Sequence, residues 1–92
     1  MATTRISVRY AAKPDVVARA VADEMILLDL ETGVYFTLNS VGAFIWRAIE
    51  SGSDGEAVID AIVNHYEVEP DVATADYDEY VGALVAEGLL VA

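Results

Sequence analysis

Few side chains in this 92-residue chain combine the type and spacing that chemistry requires. There is no cysteine, so disulfides, thiolate zinc sites and thiol nucleophiles are excluded. His65 is the only histidine, and no His-x-x-x-His or Glu-x-x-His spacing surrounds it; it reads as a partly exposed helix residue. Asp76, Asp78 and Glu79 lie close together without the loop spacing and glycine of a calcium site, and read as a solvated helix face. Ser7, Ser40, Ser51 and Ser53 have no second histidine and no nearby lysine to activate them. The glycine-rich step at residues 52–55 is followed by Glu56 rather than lysine, so it is no phosphate loop. Carboxylate pairs suited to acid–base work arise by chance in a chain with sixteen acids. No metal, cofactor or enzymatic activity is expected. What remains is binding: Tyr77 and Tyr80, each an apolar ring with a polar tip, suit a groove that is alternately wet and filled, with core membership the expected role of at least one of them.

Residues 25–46, MILLDLETGVYFTLNSVGAFIW, are the stretch around which such a groove would be organised. Ile26, Leu28 and Leu30 alternate with Leu27 and Asp29, the two-residue period of a strand. Glu31-Thr32-Gly33 reads as a three-residue hairpin loop whose glycine takes the left-handed conformation. Val34, Phe36 and Leu38 then alternate with Tyr35 and Thr37. Pairing Leu30 with Val34, Leu28 with Phe36 and Ile26 with Leu38 places all six on one buried face. At Asn39-Ser40 the period becomes helical, with Val41, Phe44, Ile45, Ala48 and Ile49 on one stripe. Trp46 falls slightly off that stripe and reads as a half-buried core residue, with a binding hot spot as the alternative.

The remaining segments build around this unit. RISVRY at residues 5–10 could form a short strand, and the Lys13-Pro14 step breaks it. VVARAV at residues 16–21 reads as a strand joined to the next by a turn at residues 22–24. The first helix is expected over residues 40–51, ending at Gly52. Ser40 and Ser53 are expected as helix caps, Ser53 forming a capping box with Glu56. The second helix presents Val58, Ile59, Ile62, Val63 and Tyr66. The third is expected over residues 71–87, behind Pro70, with Val72, Tyr77, Tyr80, Val81, Leu84 and Val85 on its apolar side. Gly88 ends it, and Leu89-Leu90-Val91 is short enough to tuck against the core. The expected class is α+β: one domain over residues 1–92, a three-stranded antiparallel sheet followed by three helices in a winged helix-turn-helix-like order. Residues 1–14 form either an extra strand or a loose lead-in.

Sixteen acids against five basic residues give a net charge of −11, and no Lys or Arg follows Arg47. In a winged helix-turn-helix that reads DNA, the third helix enters the major groove. Here that helix carries Asp71, Asp76, Asp78, Glu79 and Glu87 and no cation. Nucleic acid and anionic lipid are therefore excluded as partners. No apolar run reaches the ~20 residues of a membrane span and no signal-peptide core is present, so the cytoplasm is the expected compartment.

Residues 27–46 resemble the signature region of the PqqD-like proteins, the precursor-recognition domains of ribosomal peptide modification. Asp76-Tyr77, Tyr80, Leu84 and Gly88-Leu89-Leu90 resemble that family's C-terminal aspartate, helix and Gly-Leu-Leu ending. The wording is most similar to the discrete proteins of lasso-peptide clusters. It departs from true pyrroloquinoline quinone synthesis proteins, which carry a proline-containing sequence where this chain has Asp29-Leu30-Glu31. The resemblance implies a domain that binds the leader of a precursor peptide by adding it as a strand, and that presents it to a leader peptidase or another modifying enzyme. The implied peptide-binding residues are Val34, Tyr35, Phe36, Thr37 and Leu38 on the strand, and Asp76, Tyr77, Tyr80, Val81 and Leu84 on the third helix. The alternatives are a protein-interaction adaptor, or a PqqD-like chaperone in another modified-peptide or quinone-cofactor pathway.

Overall fold

A computed structural model describes residues 8–92. Eight elements follow in order: β1 (Ala11–Ala12), β2 (Val16–Val21), β3 (Glu24–Asp29), β4 (Tyr35–Leu38), α1 (Ser40–Glu50), α2 (Gly55–Tyr66), α3 (Pro70–Ala86) and β5 (Leu90–Val91). The three-stranded antiparallel sheet β2-β3-β4 precedes three helices, and a second, two-stranded sheet pairs β1 with β5. The expected strand at residues 5–10 is not formed at Val8, Arg9 and Tyr10; residues 5–7 lie outside the described residues. Residues 11–14 are not a loose lead-in. Ala11 and Ala12 pair with Val91 and Leu90, and the Lys13 N–H donates to the Leu89 carbonyl at 3.0 Å. Lys13-Pro14-Asp15-Val16 then closes as a turn, with Val16 N–H on the Lys13 carbonyl and Asp15 at φ 72°, the conformation a type II turn demands at its third residue.

The sheet register differs from the expected one. Met25 faces Leu38, Ile26 faces Thr37, Leu27 faces Phe36 and Leu28 faces Tyr35, one residue out of phase along β3. The core-facing set is Met25, Leu27 and Asp29, while Ile26 and Leu30 are exposed and Leu28 half-buried. The physical reason is the loop. It contains four residues, 30–33, because the Asp29 carboxylate turns inward and accepts the N–H groups of Glu31 (2.9 Å) and Thr32 (3.4 Å). Gly33, at φ 79°, donates to the Asp29 carbonyl, and Asp29 N–H donates to Val34.

The helices cap and end by short-range chemistry. Asn39, not Ser40, caps α1 by accepting the Gly42 N–H at 2.9 Å. Asp54, not Ser53, caps α2 by accepting the Ala57 N–H at 2.9 Å. Pro70 opens α3. Trp46 is fully buried rather than half-buried, sharing the core with Leu27, Leu38, Ile45, Ile62, Tyr77, Leu84 and Leu89. On α3 the buried residues are Ala73, Tyr77, Val81 and Leu84, whereas Val72 and Val85 are exposed.

Candidate functional site

The site begins with an unpaired strand edge. Among the described residues, β4 bonds to β3 on one side and to no strand on the other. The bond from Asp29 N–H to the Val34 carbonyl, 2.8 Å, marks those two as a hydrogen-bonded pair. Alternation then makes Leu27–Phe36 and Met25–Leu38 hydrogen-bonded pairs as well. Tyr35 and Thr37 consequently aim their N–H and C=O groups outward, where a further strand can take them. The outward parity on β4 matches the expected one despite the shift along β3, because both registers put Val34, Phe36 and Leu38 on the inner set.

β4 and α3 both pack on α1, and the two make few contacts with each other. Tyr80 reaches across α1. A Cβ placed on Gly42 would lie 2.9 Å from the Tyr80 ring and 3.1 Å from a Leu38 methyl, so the glycine is what allows the ring this close. The Tyr80 hydroxyl sits by the Asn39 side chain, and partial burial pushes its pKa above the usual phenol value.

Of the ten expected site residues, the structure exposes Val34, Tyr35 and Thr37 and half-buries Phe36, Asp76 and Tyr80. Leu38, Tyr77, Val81 and Leu84 are fully enclosed in the core and present no surface to a ligand. Sequence reasoning missed two residues that shape the strand edge. Lys13 holds Asp29 at 2.7 Å and Glu31 at 2.8 Å, which locks the β3–β4 loop. The Asp29 carboxyl is held below the usual carboxylate range, first by Lys13 and then, against the opposing effect of burial, by the loop N–H groups. The Lys13 amine is held above its usual range by the same two carboxylates. The sequence carried no signal for this pairing, because its alternation placed Asp29 on the solvent face.

A separate cleft of about 360 Å³ lies on the helical side, lined by Asp23, Ser40, Phe44, Arg47, His65 and Tyr66. His65 stacks on Phe44 with ring centres 4.7 Å apart. Among the described residues, no three metal-ligating side chains converge. Among the same residues, no helix is long and apolar enough to cross a membrane.

Residues 24–90, from the start of β3 to the first residue of β5, match the profile of coenzyme PQQ synthesis protein D (PqqD). The chain therefore belongs to the PqqD family. Among solved structures it is similar to TbiB1 in complex with the TbiA(beta) leader peptide, at 36% identity and TM-score 0.82, over 87% of this chain and 93% of that one. It is also similar to a lasso peptide synthetase B1 complexed with the leader peptide, at 26% identity and TM-score 0.83, over 92% of this chain and 100% of that one. No curated protein matches the chain.

Proposed function

We propose that this chain is a non-catalytic recognition domain that binds the leader of a ribosomally made precursor peptide and presents it to a processing enzyme, in the manner of lasso-peptide pathways. The observation that carries the reading is the open edge of β4, with Tyr80 of α3 packed at Gly42 beside Leu38 at the end of that strand. Tyr35 and Thr37 supply main-chain donors and acceptors there, so a peptide can add as a strand. Such bonds give affinity without regard to side chains, and the half-buried Phe36 and Tyr80 supply selection, because alternate residues of an added strand face the same side as Phe36. Both structural relatives are complexes with leader peptides, which favours a leader over an unrelated peptide. The partner enzyme is a leader peptidase or another modifying enzyme, and the cytoplasm, where the ribosome delivers the precursor, is the place of work.

The test is a titration of the purified chain with the leader half and, separately, the core half of a lasso-peptide precursor. The leader should bind and the core should not. Equal binding of both halves, or of neither, would overturn the proposal.

A further inference from the structure

Helix α1 has two working sides. Ser40, Phe44 and Arg47 are spaced by four and three residues, so they share one side of the helix. Gly42, which admits the Tyr80 ring, lies on the opposite side. The first three line the cleft of about 360 Å³, together with Asp23 from the β2–β3 turn and His65 and Tyr66 from the last turn of α2.

That cleft has an aromatic wall and three polar groups without a partner. His65 stacks on Phe44 at an interplanar angle of 20°, and Tyr66 stands edge-on to both rings, 5.6 Å from Phe44 and 4.6 Å from His65. The Tyr66 hydroxyl donates to the Ser40 carbonyl at 3.4 Å, which holds that ring against the start of α1. Asn39 has taken the cap of α1, so the Ser40 hydroxyl is left without a hydrogen bond among the described residues. Arg47 makes no ion pair among them either, although the chain holds sixteen acids. Asp23 lines the same cleft, yet the two do not pair.

We propose that this cleft binds a small zwitterion that carries an aromatic ring, the chemistry of a free aromatic amino acid. The ring lies against Phe44, His65 and Tyr66. The carboxylate takes the Arg47 guanidinium and the Ser40 hydroxyl, and the ammonium takes Asp23. Size favours one small molecule over a length of peptide, since the volume is at the low end for ligand pockets. Charge selects the zwitterion. A simple anion meets the repulsion of a chain of charge −11, and a simple cation leaves Arg47 unpaired and facing it. Arg47 also stands in the last turn of α1, where a cation complements the free helix carbonyls. That role accounts for its charge but not for the ring wall or for Asp23 opposite. A bound ligand ties the β2–β3 turn to α1 and α2, and so stabilises the fold by mass action. The site lies across α1 from Tyr80, and the proposal does not depend on leader binding.

The experiment titrates the full chain with L-phenylalanine, its methyl ester, its N-acetyl form and L-alanine, read by backbone amide shifts in nuclear magnetic resonance and by melting. L-Phenylalanine should bind with a dissociation constant on the order of 1 mM, the strength open to so small a ligand. It should raise the melting temperature and shift the amides of Ser40, Phe44 and His65, not those of Tyr35 and Thr37. The ester lacks the carboxylate, the N-acetyl form the ammonium and alanine the ring, so each should bind about fivefold more weakly or worse. Arg47→Gln and Asp23→Asn change exposed side chains, so both should be folded by circular dichroism and lose L-phenylalanine affinity by a similar factor. No saturable shift at ~10 mM L-phenylalanine would overturn the proposal. Equal binding of the N-acetyl form, the ester or alanine would overturn it too, as would wild-type affinity in either variant. Shifts centred on Tyr35 and Thr37 would place the ligand at the strand edge and overturn it as well.

Discussion

Burying a carboxylate costs free energy unless its oxygens find donors, and Asp29 finds three: the Lys13 amine and the backbone N–H groups of Glu31 and Thr32. Because the folded state lowers its pKa, the unfolded chain takes the proton first. The stabilisation is thus complete above the ordinary value of about 3.9 and drains away as pH falls through the folded one. Lys13 has the opposite sign: its contribution is complete below about pH 10.4 and is lost only in strong alkali. Asp29→Asn should therefore lower the urea midpoint at pH 7, and the gap from wild type should narrow as pH falls toward 3. A gap that stays constant from pH 7 to 3 would show that the charge contributes nothing. On the other side of the molecule, Leu84 and Tyr80 part company. Leu84 is fully enclosed, so Leu84→Ala should cost about 2–5 kcal/mol of stability. Tyr80 is half-buried beside Gly42, so Tyr80→Ala should perturb melting less and leader affinity more. Paired melts and titrations check this, and the reverse ranking would place Tyr80 in the core.

At the scale of elements, the decisive structure is the β3–β4 hairpin. Thr37 aims its backbone N–H at the open edge, where proline removes a group that no strand of the sheet uses. Thr37→Pro should leave the domain folded by circular dichroism while reducing leader affinity by more than tenfold on the order expected for a lost main-chain anchor. Phe36→Pro removes an inward bond and should unfold the hairpin. A folded Thr37→Pro variant with wild-type leader affinity would refute strand addition at β4. The same hairpin shows what a sequence can and cannot disclose. Three strands, three helices, the Pro70 start and most core positions of α2 were readable from period and punctuation. The phase of β3 was not. In MILLDL both alternating sets are largely apolar, and the set that is buried contains an aspartate, whereas the set that is exposed is the greasier one. Only the tertiary pair with Lys13, sixteen residues earlier, makes the inward phase favourable. The helix caps slipped by one residue for a related reason, since Asn39 and Ser40, or Ser53 and Asp54, are adjacent residues of similar capping strength. On α3 the apolar residues are spread around the helix, so period alone did not separate the buried Leu84 from the exposed Val85.

Taken as a whole molecule, the chain is an acidic body of charge −11 whose five cations all lie at or before Arg47. A helix order shared with DNA readers therefore carries no DNA reader's surface. Duplex DNA should give no anisotropy change at low micromolar protein even at ~50 mM salt, where phosphate attraction is largest; a salt-sensitive change would contradict this. The enclosure of Trp46 has one more consequence, this time for light. It is the chain's only tryptophan, no part of it reaches solvent, and its ring N–H has no hydrogen-bond partner among the described residues. Intrinsic fluorescence from this protein is thus the emission of one indole in a dry, apolar enclosure, displaced to the blue of an indole in water. A peptide that merely lies along β4 leaves that enclosure untouched, so its binding should be silent in tryptophan emission unless the peptide brings an indole of its own. A red shift during a titration would report an opened core, not an occupied edge.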